Sequence, residues 1–394
     1  MSPEGRSLRI LFLAPQPFFE VRGTPLAVLA MVKALVALGH RVDLLSFPQG
    51  EAVDVPGLVH RRSLPLPVGR VRAGASLAKL VLDVPFLAEA MWRMAFGHYD
   101  VVHAVEEAAH LVAPAARFLG LPLVADVDSS IPDQLRYSGF AGRGPLPWLA
   151  NRLETHALRH AAVAITVCTS LTEGVRAKAP GTPVFQVEDP PLVSDGLADP
   201  LAVAALRQSL GLGPEPVVLY SGNFESYQGV DLLVDAARAV PEAQFVFMGG
   251  EPDQIAAVKA RAGGRFAFAG KRPPSELPTF LALAHVLASP RRQGENTPFK
   301  IYTYLASGKP IVATRIPTHT QLLDDTMAFL VEPSAEGLAR GVRAALADPA
   351  EAAAKARRGR ALVDREYSEA RYAEKVAAAY AEVERRVITS HSGR

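Results

Sequence analysis

Arg291, Arg292, Glu295 and Lys300 lie close together in the stretch 289–314, SPRRQGENTPFKIYTYLASGKPIVAT. Three cations could hold an anion, and a carboxylate could accept hydrogen bonds from hydroxyl groups. Together they suit a phosphorylated sugar. The competing reading is an ordinary solvated loop, since loops in α/β sheets are usually polar.

The flanking elements decide where these groups sit. The apolar run 285–288 reads as a buried parallel strand that ends at Pro290. Thr297-Pro298 reads as a helix start, with threonine as N-cap and proline at the first helical position. Ile301, Tyr304 and Leu305 share one helical face, Gly308 stops the helix, and 311–313 is the next strand. The polar cluster therefore belongs at a strand's carboxyl end and a helix's amino end. Ligands of open α/β sheets bind there, and helix N-termini favour anions.

The rest of the chain alternates in the same way. Residues 8–14 read as a first buried strand. A loop follows and closes on Arg22-Gly23-Thr24-Pro25, where Thr24-Pro25 again suggests a helix start. Only Gly23 is present at this first turn, so the GxGxxG dinucleotide fingerprint is missing and a nicotinamide dehydrogenase is disfavoured. The strand 99–103 ends in His103, with Glu106 and Glu107 just beyond. The strand 121–127 ends near Asp126 and Asp128, which alternation places on one side. His103 and Glu106 are site candidates by position, although a lone histidine or a first-turn glutamate is commonly structural. Asp128 is the better-placed aspartate, and capping of the next turn is an equal reading for it.

One basic stretch stands apart. Residues 61–82 carry Arg61, Arg62, Arg70, Arg72 and Lys79 with no acid before Lys79, and Trp92 and Phe96 follow in an apolar run. Cations beside aromatics can dock on anionic lipid. The bland alternative is a solvated loop leading into a core-facing helix.

At 394 residues, with 49% hydrophobic and 21% charged residues, two soluble domains are expected. A net charge of +2 gives no reason to expect a nucleic-acid partner, so electrostatic function must be local. The single cysteine, Cys168, excludes an intramolecular disulfide and a cysteine metal cluster, and fits a reducing compartment. Neither a signal peptide nor a membrane-spanning run is evident. The proline- and aspartate-rich EDPPLVSDGLADP marks a linker. In the last helix Tyr372, Val376, Tyr380, Val383 and Val387 form one apolar stripe.

Two parallel α/β halves, a linker and a terminal helix resemble the GT-B fold: two Rossmann-like doubly wound domains facing across a cleft, with the C-terminal helix packing back on the N-terminal domain. More specifically, the chain resembles the retaining glycosyltransferases of family 4. Those enzymes carry two glutamates separated by seven residues, then a small-Gly-Lys-Pro turn. Glu295 matches the first glutamate, and Ala306-Ser307-Gly308-Lys309-Pro310 matches the turn. GNFESYQGVDLL (222–233) and RGTPLAVLAMVKALVALGHRVDLL (22–45) look like the family's glycine loops. Departures are specific. The second glutamate is replaced by Thr303, the pyrophosphate-binding arginine and lysine by Asn223 and Gln228, and the N-domain histidine by Asp128. All these replacements remain polar within an intact surrounding motif, which favours a divergent active subfamily.

The resemblance implies transfer of a sugar from a nucleotide-sugar donor, with retention of anomeric configuration, to a glycan or lipid-linked acceptor. Glu295, Asp128 and Lys300 would be catalytic. Gly23, Thr24, Gly222, Asn223, Gln228, Arg291, Asn296, Thr297 and Thr303 would contact the donor. Arg61, Arg62, Arg70, Arg72, Lys79, His103 and Glu106 would serve the acceptor or an anionic membrane surface. The domains implied are an acceptor domain (1–190), a donor domain (191–367) and a C-terminal helix and tail (368–394). No cofactor or metal is expected: Asp126-Val127-Asp128 has the spacing of a DxD metal motif, but lies where this family uses no metal. A cytoplasmic protein, peripheral at the inner face of the membrane, is expected. Two alternatives stay open: a non-catalytic sugar-nucleotide-binding or scaffold protein of the same fold, and another GT-B enzyme such as a nucleotide-sugar epimerase or a phosphorylase.

Overall fold

Uninterrupted apolar runs become the inner strands of two parallel sheets in the computed structural model, which describes residues 6–20, 23–68, 77–132, 146–193, 198–262 and 266–392. The chain divides into two compact units, Met1–Glu188 with Tyr372–Arg394, and Asp189–Arg371.

In the first unit, β1 (Arg9–Pro17), α1 (Gly23–Ala37), β2 (Arg41–Phe47) and β3 (Leu58–Arg62) form one side of a seven-stranded sheet. The other side is built by α2 (Leu77–Phe96), β4 (Val101–Val105), α3 (Glu107–Leu119), β5 (Leu123–Val127), α4 (Leu146–His160), β6 (Val163–Thr166), α5 (Thr169–Lys178) and β7 (Val184–Gln186). The order is β3-β2-β1-β4-β5-β6-β7, all parallel, so the chain reverses direction across the sheet between β1 and β4. Helices α2 to α5 cover one face.

The second unit repeats the plan. Its elements are α6 (Pro200–Ser209), β8 (Val217–Ser221), α7 (Val230–Ala239), β9 (Gln244–Met248), α8 (Pro252–Ala262), β10 (Phe266–Gly270), α9 (Leu277–Leu283), β11 (Val286–Ser289), α10 (Phe299–Ala306), β12 (Ile311–Thr314), α11 (Pro317–Thr320), β13 (Phe329–Val331), α12 (Ala335–Ala347) and α13 (Pro349–Glu366). Its six parallel strands run β10-β9-β8-β11-β12-β13, with the reversal between β8 and β11. Helix α14 (Glu369–Ser392) closes the chain, and its stripe from Tyr372 to Val387 packs with α1 on the first sheet's other face. Among the described residues no helix is long and apolar enough to cross a membrane.

Two sequence expectations change here. Arg61 and Arg62 are not in a loop: they end β3, pairing with Leu45 and Ser46 of β2. Charged residues on an edge strand are a common guard against edge-to-edge pairing. Arg70 and Arg72 lie outside the described residues.

His103 is the second change. It has no exposed surface, stacks on Phe12 at 4.2 Å and lies between two partners. Its Nε2 is 3.0 Å from Asp126 Oδ2, and its Nδ1 is 2.8 Å from the Tyr380 hydroxyl. With Asp126 ionised, Nε2–H donates to the carboxylate and Nδ1 accepts from Tyr380. His103 therefore holds α14 onto the sheet rather than reaching an acceptor. Tyr380→Phe should leave Nδ1 buried without a donor and cost about 1–3 kcal/mol. Native-state hydrogen exchange of β4 and α14 should show that loss; unchanged protection would show that the hydroxyl stabilises nothing.

Candidate active site

Both sheets put their reversal points where ligands of doubly wound folds bind, outside the strands' carboxyl ends. In the second unit the loop after β8 and the loop between β11 and α10 meet there. The backbone N–H of Arg292 donates to Tyr227 O at 2.9 Å. Gly229, at φ +69°, lies so close to the other loop that a Cβ would fall 2.1 Å from Pro290 O. Only glycine fits that position.

Lys300 crosses this junction. Its Nζ donates to Gln228 Oε1 at 3.2 Å and lies 4.0 Å above the centre of the Tyr220 ring, which is fully buried. Among the described residues no carboxylate pairs with it. Burial, with help from nearby Arg291, pushes its pKa well below the ordinary lysine range. Gly222 makes the arrangement feasible: at φ +142°, a Cβ there would sit 2.8 Å from Lys300 Nζ and 3.2 Å from the Tyr220 hydroxyl. The same tyrosine donates to Asn223 O at 2.5 Å. At the end of β8 the Tyr304 hydroxyl accepts from Ser221 N at 2.8 Å and lies 3.1 Å from Ser221 Oγ. An ammonium held over an aromatic face is attracted by the ring, and an anion placed beside it would neutralise it.

The other candidate donor residues divide. Asn223 uses its Oδ1 on Glu225 N at 3.2 Å, leaving its NH2. Gly23 opens α1 at the first unit's reversal point, beside half-buried Thr24. A Cβ on Gly23 would meet nothing within 4 Å, so the protein's own packing does not require glycine there. Glu295 is half-buried, and its carbonyl accepts from Gln321 Nε2 at 2.9 Å.

Others are engaged within the protein. Arg291 is folded inward, donating to Gln293 O at 3.0 Å, Asn296 O at 3.0 Å and Asn296 Oδ1 at 3.1 Å. It shapes its own loop, and Asn296 is fixed by the same contacts. Arg292 is paired with Asp231 at 2.5 Å. Thr303 is buried and accepts from Leu192 N at 3.1 Å, tying the start of the linker to α10. Thr297 is buried but is not the N-cap. The helix starts at Phe299 after an extended Pro298, with no side-chain cap. The residue before a proline is biased away from helical dihedrals, which keeps Thr297 outside the helix. The Gly-Lys-Pro turn is structural: Lys309 Nζ donates to Ala282 O at 3.0 Å and Ala284 O at 2.8 Å, at the end of α9.

Beneath the junction, His319 is fully buried between Ser289 Oγ, 2.9 Å from Nε2, and Thr314 O, 2.7 Å from Nδ1. Burial lowers its pKa to about 3, against the opposing bond to Thr314 and with the help of Arg291 and Lys300.

The first unit's reversal point carries opposite charge. Lys79 is not a lipid-facing cation. It pairs with Glu107 at 2.5 Å and approaches Glu106 at 3.8 Å. Burial would lower its pKa, but the Glu107 and Glu106 carboxylates outweigh that and raise it. Glu106, at φ 50°, accepts from Ser129 Oγ at 2.7 Å. Burial raises Glu107 to about 7 and Asp83 to about 6. Asp128 is buried just beyond β5. Glu107 and Asp83 did not stand out from the sequence. Their signal was present in the Glu-Glu pair after β4 and in the Lys79–Asp83 helical spacing.

Two parallel α/β units, each with polar groups at its reversal point, define the GT-B class of fold. Residues 22–184 match the glycosyl transferase 4-like domain, and residues 215–348 match glycosyl transferases group 1. The chain belongs to this family of GT-B glycosyltransferases. It is 27% identical to the α-D-kanosaminyltransferase of Streptomyces kanamyceticus, over 78% of this chain and 86% of that one. Its fold is that of the sucrose-phosphate synthase of Thermosynechococcus elongatus, with TM-score 0.79, 20% identity, and coverage of 96% of this chain and 99% of that one. It is also that of Anabaena HepE in complex with UDP-glucose, with TM-score 0.72, 19% identity, and coverage of 95% and 99%.

The depressed His319 pKa has a consequence for stability. In the unfolded chain histidine binds a proton below about pH 6.5; in the folded protein His319 does so only near pH 3. Stability should therefore fall as pH drops through that window, approaching about 1.4 kcal/mol per pH unit from this residue. Urea unfolding of the second unit between pH 7 and 5 measures it. A His319→Gln variant with an unreduced slope would show that another group is responsible.

Proposed function

We propose that this protein is a retaining glycosyltransferase that moves a sugar from a nucleotide-sugar donor to a glycan or lipid-linked acceptor. The observation that carries this reading is the Lys300 ammonium: half-buried at a sheet's reversal point, 4.0 Å over Tyr220, and without a paired carboxylate among the described residues. A donor diphosphate is a fitting counter-anion. As the bond from the anomeric carbon to the diphosphate breaks, negative charge grows on the leaving oxygen. Lys300 and the free N–H groups at the start of α10 would stabilise that charge. HepE, of the same fold, has been solved with UDP-glucose.

Asn223 and Gln228 stand where the family has an arginine and a lysine. An amide supplies N–H donors without charge. Gln228 accepts from Lys300 through Oε1, so it positions the cation and offers its NH2 to the phosphates. Glu295 would hold sugar hydroxyls or steady positive charge at the anomeric carbon. Asp128 would orient the donor sugar or the acceptor. We infer that the reaction is independent of metal, so a chelator should leave the rate unchanged. The remaining elements of the reading are a cytoplasmic location and work at the anionic inner face of the membrane.

Steady-state kinetics on three variants tests the assignment, after a thermal-shift screen of nucleotides and nucleotide sugars has found the donor. Lys300→Ala should lower kcat/KM about a hundredfold or more, near 3 kcal/mol. Asn223→Ala should cost less, since neutral bonds are roughly half as strong as charge-assisted ones. Glu295→Gln should fold normally and transfer poorly. A Lys300→Ala enzyme near full activity beside a dead Asn223→Ala would overturn the role of Lys300. A wild type that binds donor yet neither hydrolyses nor transfers it would be a non-catalytic binding protein.

A further inference from the structure

Helices α2, α3 and α4 lie side by side on one face of the first sheet, their inner sides in a single core. Their outer sides are unusual. Every exposed side chain described on α2 is apolar, among them Leu80, Val84, Trp92 and Phe96. On α3, Phe118 is 90% exposed. On α4, Trp148 is 62% exposed, with Leu149 and Leu153 also in solvent. Exposed aromatic and aliphatic side chains gathered on three neighbouring helices mark an interaction surface.

The charges on these helices are sorted by sign. No acid is among the exposed residues of the three helices. Asp83 and Glu154 are buried, and Glu89 and Glu107 are half-buried. Glu107 is matched by Lys79 at 2.5 Å, Glu89 by Arg93 at 2.6 Å and Glu154 by Lys178 at 2.7 Å. The exposed charged residues are Arg117, Arg152 and Arg159, and among the described residues none of them pairs with a carboxylate. Arg152 lies over the Trp148 ring at 5.7 Å, joining cation and aromatic in one contact. The pattern stops at α5, where Glu173 is exposed.

We propose that the outer face of α2, α3 and α4 is a docking surface for an anionic lipid bilayer. It refines the membrane partner of the reading above and rests on that part of it. Exposed aromatics enter the headgroup boundary, arginines meet lipid phosphates, and hidden acids prevent repulsion. A protein partner of this size would ordinarily meet both signs of charge at a polar rim; here the described face offers only cations. The surface differs from the one expected from sequence. Lys79 is turned inward, and Arg61 and Arg62 belong to an edge strand.

Sedimentation of the full chain with vesicles tests this, using phosphatidylglycerol mixed with phosphatidylcholine against phosphatidylcholine alone. Wild type should pellet with the anionic vesicles and remain largely free with the neutral ones. Trp92→Ser/Phe96→Ser/Trp148→Ser should lose about tenfold or more in partitioning. Arg117→Ser/Arg152→Ser/Arg159→Ser should lose about a hundredfold. Arg61→Ser/Arg62→Ser should retain most binding. All the replaced side chains are exposed, so thermal melting and nucleotide-induced thermal shifts should match wild type. Wild type free in both suspensions overturns the proposal. So does helix-face binding unchanged by both triple variants, or a self-association lost in the aromatic variant without any vesicle binding. Because nucleotide shifts are read separately, failure here leaves the transferase reading standing, and failure of Lys300 leaves the docking result standing.

Discussion

A half-buried ammonium group, with no carboxylate among the described residues to neutralise it, constrains much of the second unit. Lys300 rests on Tyr220 in space left open by residue 222, where a Cβ would come within 2.8 Å of its Nζ and displace it. Gly222 is in turn bounded by Gly249, where a Cβ would meet Gly222 O at 2.1 Å. Tyr220 is steadied by its bond to Asn223 O, and Gln228 turns its oxygen toward the cation. Desolvating a charge is costly unless something compensates. Here the ring face and one amide oxygen compensate only in part, which lowers the Lys300 pKa, and a bound anion would compensate the rest.

The two units use one topology for opposite electrostatics. Each sheet reverses at a central strand pair, β1 with β4 and β8 with β11, and each collects its polar groups there. In the second unit Lys300, Arg291 and neutral His319 make the reversal point positive. In the first unit Glu106, Glu107 and Asp83 surround one lysine and make it negative. Phosphate suits the former. Hydroxyl or amine groups suit the latter, because carboxylates accept their hydrogen bonds. A family that joins a phosphate-bearing donor to a second substrate has use for both environments.

Much of the fold was legible because buried parallel strands leave a strong trace: apolar runs such as RILFLA or VVLYS, closed by glycine or proline. The edge strand LVHRR was not legible. One face of an edge lies in solvent and its side chains carry no continuous apolar signal. The terminal helix was legible from its stripe, whereas His103 was misplaced, since its decisive partner Tyr380 is 277 residues away in the chain. At the site, Lys300 and the glycine loops announced themselves by composition and position. Tyr220 and Tyr304 did not, because a tyrosine in an apolar run looks like core until its hydroxyl is seen to bond Asn223 O or Ser221 N. Arg291 and Lys79 show the opposite error. Their charge suggested a ligand, and the structure gives each of them to its own unit. Only contacts separate a cation awaiting a partner from one already matched.

That distinction also explains how a site can depart from its family's residues without losing the chemistry they serve. A diphosphate requires positive charge near its oxygens; it does not require that the charge come from a particular loop. Position 228 carries no charge here, but it lies 3.2 Å from an ammonium that arrives from α10. Placing a second lysine at 228 would bring two ammonium groups together on the face of Tyr220, where neither has a carboxylate. Like charges that close in a desolvated place depress each other's protonation, so the added charge would be partly lost. A neutral amide at 228 avoids the repulsion, keeps Lys300 in register and still offers an N–H group. The glutamine is therefore better understood as the partner that Lys300 requires than as a vestige of a lost lysine.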